Sequence, residues 1–365
     1  MANAYATKLS EGFAARSIKY FYEKAVTPSI TNQDYEGEIK DIRSVVNILT
    51  FAKATLQNYT GSNLVAADIE ESVGQLTTDQ QKAYYFKIRS LDRFKSWLKN
   101  PEGTIISQLG DTLNEAVDAH VLLKYTDAAS GHWDGTSYTT GTVTIDAVTG
   151  AVTGSGTTFT ESMEGKPFKA DGHTQWYRVK DYTSATAITI EDDSDDLTSA
   201  YTGGAIGGGA TYEVQANVAV QVTKATLYTR LVALKTLLDK AKIPDTDRWA
   251  VLPADLVNLI LTPDAANPLV VALESARNEN VKNGMVGRMA GFDIMRNEQV
   301  AGDSTDGFHV LAGHKSAITF AMGFVETGIE DLIGNFGKAY KGLNVYGSKV
   351  VDERRKALAH GFWKL

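Results

Sequence analysis

The sequence has 365 residues, of which 43% are hydrophobic and 22% charged, and its formal net charge is −8. These values are ordinary for a folded globular protein, and the length allows two or three lobes. The absence of cysteine excludes disulfides, thiolate nucleophiles and cysteine-ligated metals. No apolar run reaches the ~20 residues of a membrane span, and the acidic balance disfavours a general nucleic-acid binder.

The first 35 residues are typical of an arm. Residues 9–25 can form a helix with aromatic contacts from Phe13, Phe21 and Tyr22, which Thr27-Pro28 would end. We expect such an arm to pack on the body of the protein or on a neighbouring subunit.

Two extended segments follow and predict a projecting hairpin. Residues 39–59 are rich in β-branched side chains, and residues 83–90 alternate between an aromatic and a charged face. A polar, acidic connection joins them. Because a long hairpin leaves strand edges open, a partner is expected to cover it. The candidate inter-subunit contacts are its charged residues Glu70, Glu71, Lys82, Lys87 and Arg89.

The stretch from Pro101 to Tyr125 predicts one long amphipathic helix. Asn100 is a good N-cap and Pro101 suits the first helical position. Its length exceeds that of the average helix, so it can act as a beam across a domain. The predicted apolar face comprises Ile105, Ile106, Leu109, Leu113, Ala116, Val117 and Leu123, and the predicted polar face Ser107, Asp111, Asn114, Glu115 and Asp118.

Residues 131–213 differ sharply from the rest of the chain in composition. They carry four basic and twelve acidic residues, an excess that equals the whole net charge, and their only leucine is Leu197. Short alternating runs at 142–145, 175–180, 187–190 and 212–214 predict a small all-β module. The glycine-rich run at 203–209 predicts a flexible loop.

Four residues of this module are candidate surface contacts. Trp176 and Tyr177 could form a stacking platform, although adjacent residues on a strand point to opposite faces, so one of them is expected in the core. Asp192 and Asp193 belong to the acidic run 191–196. That run lacks the central glycine and final glutamate of a calcium loop, so we expect a solvated loop.

Helix and strand alternate after residue 224 and predict an α+β body. Leu227, Leu231, Leu234 and Leu238 form one helical stripe, and residues 248–252 predict a buried strand followed by a helix that Pro253 opens. Residues 269–276 predict another helix, and 292–295 and 308–311 predict strands. The final segment is strand-rich.

No catalytic spacing is present. The sequence lacks phosphate-binding, metalloprotease and serine-hydrolase motifs. His309 and His314 flank a predicted turn, where exposed or locally bonded imidazoles are expected. We therefore predict no catalytic, metal-binding or cofactor-binding residues, no cofactor, and no enzymatic activity.

Three segments carry a resemblance to a known family. They are Arg248 to Pro253 followed by a helix, Gly284 to Ile294, and Tyr346 to Val351. In this order, behind the long helix and the aromatic strand Tyr84 to Ile88, they resemble a tailed-bacteriophage major capsid protein of the HK97-like fold. Glycines Gly284, Gly287 and Gly291 would then serve tight turns.

The resemblance implies a layout for the α+β chain. Residues 1–45 would be the N-arm, 46–90 the extended loop, 91–130 the peripheral domain with its spine helix, 216–314 the axial domain and 315–365 the C-terminal part of the peripheral domain. Residues 131–215 resemble the immunoglobulin-like or β-sandwich modules of phage structural proteins and would be an inserted domain on the outside of a shell.

The implied function is self-assembly as pentamers and hexamers into an icosahedral shell around double-stranded DNA, bound without sequence specificity. Implied partners are a separate scaffolding protein, a portal protein and a decoration protein, with no membrane. The location would be the virion capsid, assembled in the host bacterial cytoplasm. In some relatives a lysine of the extended loop forms a cross-link to a neighbour, and Lys82 and Lys87 lie in that region. The alternatives are an encapsulin-type nanocompartment and a glycan-binding adhesin built on the β module.

Overall fold

The computed structural model describes residues 24–35, 45–51, 71–90, 101–193, 200–261, 285–332 and 336–365. These fall into two compact units. The first is drawn from residues 33–113 and 319–349, and the second from residues 24–32, 114–318 and 350–365. The helix predicted at 269–276, most of the arm helix, Glu70 and Gly284 lie outside the described residues.

Four α-helices are described: α1 (Thr27–Ile30), α2 (Pro101–Leu122), α3 (Lys224–Lys240) and α4 (Ala254–Leu261). The long predicted helix is confirmed as α2, which continues as a 3₁₀ turn over Leu123–Asp127. The leucine stripe of α3 is also confirmed, because all four of its predicted leucines are buried. Thr27-Pro28 begins the helical turn α1, since proline suits a first helical position, and most of the helix that it was predicted to end lies outside the described residues.

The first unit contains two small sheets. Strand β1 (Val45–Phe51) pairs antiparallel with β2 (Glu71–Thr77). Strand β3 (Gln80–Arg89) pairs antiparallel with β20 (Gly337–Val350), which also neighbours β19 (Ile318–Asp331). The predicted hairpin is therefore wrong in its pairing, since residues 83–89 pair with a strand far along the chain. The alternation within β3 is confirmed: Ile88 is buried whereas Tyr85 and Lys87 are exposed.

Eight strands between residues 136 and 218 form one continuous sheet, here called the insert sheet, in the order β11-β6-β7-β10-β9-β8-β12-β5. Its strands are β5 (Thr136–Tyr138), β6 (Thr142–Ile145), β7 (Ala151–Ser155), β8 (Pro167–Ala170), β9 (Tyr177–Ser184), β10 (Ala187–Asp192), β11 (Ile206–Ala210) and β12 (Tyr212–Val218). One buried cluster lines it, including Phe159, Phe168 and Tyr212. The loop predicted across Gly207 to Gly209 is wrong, because this stretch lies within β11, whose residues Ile206 and Ala210 pair with β6 on either side of a register irregularity.

The second unit contains another eight-stranded sheet, here called the β21 sheet. Its strands are β4 (Trp133–Asp134), β13 (Val220–Gln221), β14 (Arg248–Leu252), β15 (Met285–Met289), β16 (Phe292–Arg296), β17 (Gly302–Asp303), β18 (Gly307–His314) and β21 (Leu358–Lys364). The path runs β13-β21-β18-β14-β16-β15, with β4 on β21 and β17 on β18. Strand β21 thus pairs with three strands, β13, β4 and β18, and α3 packs against it.

Two glycines of this sheet test the predicted turns. Gly291 follows Ala290 in the two-residue turn between β15 and β16, and both have positive φ, at 86° and 50°. That geometry suits a tight hairpin and confirms the prediction for Gly291. Gly287 lies inside β15, where the register with β16 shifts, so it serves a strand irregularity and not a turn.

Candidate functional site

The sheet that contains β3 carries several exposed apolar side chains. Tyr85 on β3 is 67% exposed, and Ile329 on β19 and Phe336 before β20 are 63% and 91% exposed. On the opposite face of β3 from Tyr85, Phe86 stacks on Tyr340 at a centroid distance of 5.1 Å. Strand β3 ends the order β19-β20-β3, so among the described strands one of its edges is open. Open edges and exposed aromatics together are typical of a surface that a partner covers.

Three of the predicted inter-subunit contacts can be located here. Lys82 and Lys87 are exposed on β3, and Arg89 at its end is half-buried. Glu71 begins β2, the strand that the sequence did not predict; its side chain is not described. None of these placements tests a contact between subunits, so the contacts stay predictions.

A buried carboxylate on α2 forms hydrogen bonds with residues near the start of the described chain. Asp118 on α2 is 2% exposed and accepts hydrogen bonds from the backbone nitrogens of Val26 and Thr27, each at 3.0 Å. It also accepts from the Thr27 hydroxyl at 2.6 Å and from the Asn297 side-chain amide at 2.8 Å. The predicted solvent-facing position of Asp118 is therefore wrong, because its polar partners lie inside the fold. Leu123, predicted on the apolar face, is 52% exposed in the 3₁₀ turn that follows α2.

A network of ions ties the insert sheet to the C-terminal segment. Arg355 is 5% exposed in the 3₁₀ turn Asp352–Ala357, and its Nη2 lies 2.6 Å from Oδ1 of Asp193. Its Nη1 and Nε donate to the backbone oxygens of Asp193 and Asp127 at 2.9 and 3.0 Å. Arg178 on β9 donates to the same carboxylate at 3.1 Å, and Ser130 also donates to it. Burial acts to raise the pKa of Asp193, but Arg355, Ser130 and Arg178 together outweigh it and lower the pKa.

Two of the predicted surface contacts on this module are therefore corrected. Tyr177 is 3% exposed and packs in the insert core, as strand alternation requires for one of the pair. The carboxylate of Asp193 is engaged by arginines, not solvated. Trp176 is half-buried with the Lys169 ammonium 5.7 Å from its ring centroid, and Asp192 accepts hydrogen bonds from Thr202. Trp176 and Asp192 remain predictions.

Aromatic rings form a column in the second unit. His309 lies between Tyr125 and Phe362, with ring centroids 4.2 and 4.4 Å away and nearly parallel planes. Its Nδ1 lies 3.0 Å from Nε2 of His360, which is fully buried. Burial, and secondarily Lys166, lowers the pKa of His309 to about 4. The prediction of a local bond is confirmed for His314, which contacts Ser316, and is wrong for His309, whose partner comes from β21.

A cavity of about 720 Å³ lies beside this column, within the second unit. Its apolar walls include Tyr125, Trp133 and Phe362, and Lys166, Lys364 and His309 also line it. Sequence inspection missed this group of side chains, because a single lysine in an acidic segment and two separated histidines give no local signal.

Within the ranges that the structure describes, no three His, Asp or Glu side chains are placed to hold a metal ion. No helix in the described part of the chain is both long and apolar enough to cross a membrane.

Solved structures from phages share the fold. A structure from Mycobacterium phage Che8 aligns with a TM-score of 0.58 at 16% identity and covers 96% of each chain. A capsid structure of the cyanophage P-SCSP1u and the capsid of Ralstonia phage GP4 each align with a TM-score of 0.53 at 12% identity. These alignments cover 96% of this chain, and 92% and 93% of theirs. No model of a protein family and no curated protein matches the sequence. At this identity the likeness concerns the fold, so the chain has the fold of phage capsid proteins.

Proposed function

We propose that this chain is the major capsid protein of a tailed phage. It assembles as pentamers and hexamers into an icosahedral shell around double-stranded DNA. The observation that carries the proposal is the likeness of nearly the whole chain to assembled phage capsids, with 96% of it aligned. The role is structural and requires no catalysis.

The proposed layout is HK97-like. Residues 1–45 are the N-arm, 46–90 the extended loop, 91–130 the spine region, 131–215 an inserted β domain, 216–314 the axial domain and 315–365 the returning peripheral segment. The separate core of the insert sheet supports treating it as a domain. The exposed side chain of Tyr85 supports the assignment of β3 to a contact between subunits.

Assembly of this kind uses many heterologous contacts per subunit, which rotation closes into rings and then a shell. Each contact can be modest because several form at once. The excess of acidic residues in 131–213 accounts for the whole net charge, so the rest of the chain has no net charge. An inner shell wall formed by that neutral remainder would enclose DNA without strong binding driven by counterion release. The proposed partners are a scaffolding protein, a portal protein and a decoration protein, and the shell is assembled in the bacterial cytoplasm.

Negative-stain electron microscopy of the purified full chain, alone and with a co-expressed scaffolding protein, tests the proposal. Closed shells or capsomer rings are expected. Monomers under both conditions would overturn it. The content of native particles distinguishes this proposal from a nanocompartment, because a phage particle contains DNA whereas a nanocompartment contains an enzyme.

A further inference from the structure

The cavity beside the aromatic column lies between two elements of the second unit. One wall comes from the insert, around the 3₁₀ turn Glu161–Met163, and the other from strands β17, β18 and β21. Its volume of about 720 Å³ falls within the ~300–1,000 Å³ typical of small-molecule sites. Such sites combine apolar walls with a few polar groups that orient the ligand, and this cavity has both.

Lys166 is the least ordinary residue of its lining. It is 6% exposed, and its Nζ lies 3.3 Å from Oδ1 of Asn217 and 5.1 Å from the Phe362 ring centroid. Lysine is almost never this buried unless an interaction compensates for lost hydration. Burial lowers its pKa to about 8, so at pH 7 most molecules still hold the cation. An anion in the cavity could accept a charge-assisted hydrogen bond from the Lys166 ammonium.

His309 provides a second hydrogen-bond donor in the cavity. Which of its ring nitrogens carries the proton follows from its contact with His360. The other ring nitrogen of His360, Nδ1, is buried without a hydrogen-bond partner within the described chain. A buried N–H without an acceptor is the rarer arrangement, so the proton belongs on Nε2 of His360 and is donated to Nδ1 of His309. Neutral His309 then carries its own proton on Nε2, the ring nitrogen left to donate to an occupant.

The charged lining of the cavity restricts the charge of that occupant. Glu161, Glu164 and Asp306 line the cavity and are exposed, and Lys364 lines it as well as Lys166. Three carboxylates against two lysines repel a multiply charged anion such as phosphate more strongly than a singly charged one.

We propose that this cavity is a binding site for a small organic monocarboxylate with a planar, apolar body. The carboxylate accepts hydrogen bonds from Lys166 Nζ and His309 Nε2, and the apolar body lies against the aromatic wall. This site is independent of the proposed shell function.

Isothermal titration of the purified full chain at pH 7 with benzoate, and with benzamide as its neutral isostere, tests the site. Benzoate is expected to bind roughly tenfold or more tightly than benzamide, because only benzoate forms charge-assisted hydrogen bonds. Lys166→Met is expected to weaken benzoate binding roughly tenfold or more and to abolish the preference. Lys240→Met, which removes an exposed lysine of α3 outside the cavity, is the matched control and leaves binding unchanged.

Three results would overturn the site: no binding of acetate, benzoate or indole-3-acetate below about 10 mM, equal binding of benzoate and benzamide, or unchanged benzoate binding in Lys166→Met. A thermal melt establishes that the variant is folded. His309→Phe provides a second variant that keeps the ring stack and removes the donor; it is expected to weaken benzoate binding severalfold, and unchanged binding would remove His309 from the site.

Discussion

The carboxylate of Asp118 accepts hydrogen bonds from both the backbone nitrogen and the hydroxyl of Thr27, at 3.0 and 2.6 Å. With Val26 and Asn297 it forms a buried hub that joins α1, α2 and the segment after β16. A buried carboxylate is costly unless its oxygens are satisfied, and here four donors satisfy them. The hub fixes where the chain leaves α1 toward its N-terminus.

Asp118→Asn tests this hub. The amide presents its own N–H₂ to groups that are all donors, so the free energy of unfolding should fall by about 3 kcal/mol. Urea unfolding of the unassembled chain measures the change. Asp111→Asn, a partly exposed acid two turns earlier on α2, is the control and should change stability by less than about 0.5 kcal/mol. Equal effects of the two substitutions would contradict the hub.

The Arg355–Asp193 pair predicts strong coupling between the insert and the C-terminal turn. Arg355→Met leaves a largely buried carboxylate with less compensation and should cost about 3 kcal/mol. Asp193→Asn should cost less once Arg355 is already absent, which gives a coupling energy of about 1–3 kcal/mol in a double-mutant cycle. Additive single effects would show that the pair does not hold the insert in place.

The histidine pair predicts acid sensitivity. The pKa of His309 is about 4, and that of His360 is lowered by burial, by His309 and by Lys166, against an ordinary value of 6.5. Between these values the unfolded chain binds more protons at these two histidines than the folded one. The histidines therefore cost no stability above pH 6.5 and destabilise the fold as the pH falls toward 4. Urea midpoints at pH 4.5, 5.5 and 7.5 measure the loss. A His309→Phe/His360→Phe double variant with an equally steep decline would refute the assignment.

Lys166 predicts that the stability of the protein also depends on pH in the alkaline range. Its pKa is about 8 in the folded protein and 10.5 when solvated, so the unfolded chain binds more protons between these values. Stability should therefore rise with pH from 8 to 10.5. Lys166→Met should flatten this rise and stabilise the empty protein at pH 7 by up to about 3 kcal/mol. A less stable Lys166→Met protein at pH 7 would show that its buried contacts outweigh the cost of the charge.

Tyr85 predicts an effect on assembly alone, which rests on the proposed function. Because its side chain is 67% exposed in the subunit, Tyr85→Ser should leave the melting temperature nearly unchanged and lower the yield of shells severalfold. Particle counts by electron microscopy measure the yield. Val148→Ser, which removes an 84% exposed apolar side chain from the turn between β6 and β7, is the control and should assemble normally. Normal assembly of Tyr85→Ser would exclude β3 from the contact.

Local periodicity in the sequence predicted the helices and strands far better than it predicted which strands pair with each other. The stripe of α3 and the buried strand β14 are visible in any short window of the sequence, because each element's own spacing specifies it. The pairing of β3 with β20 joins Tyr84 to Gly342, where a Cβ would lie 2.4 Å from the tyrosine ring. No local pattern identifies such a partner, and the predicted hairpin failed for that reason.

The site residues were missed for the same physical reason. Asp118, Asp193 and Lys166 are charged, and each was expected in solvent or left unremarked. Their burial depends on partners such as Arg355 and Asn297, which lie far away in the sequence. Only tertiary contact distinguishes a buried ion from a solvated one.

The pairing of strand β21 with two strands that precede it in the sequence also affects how the second unit forms during synthesis. Strands β4 and β13, which precede it by more than a hundred positions, both take their ladder partners from it. Until residues 358–364 have left the ribosome, β4, which precedes the insert sheet, and β13, which precedes α3, lack those partners. A nascent chain therefore cannot complete the sheet of its second unit before residues 358–364 have been synthesised.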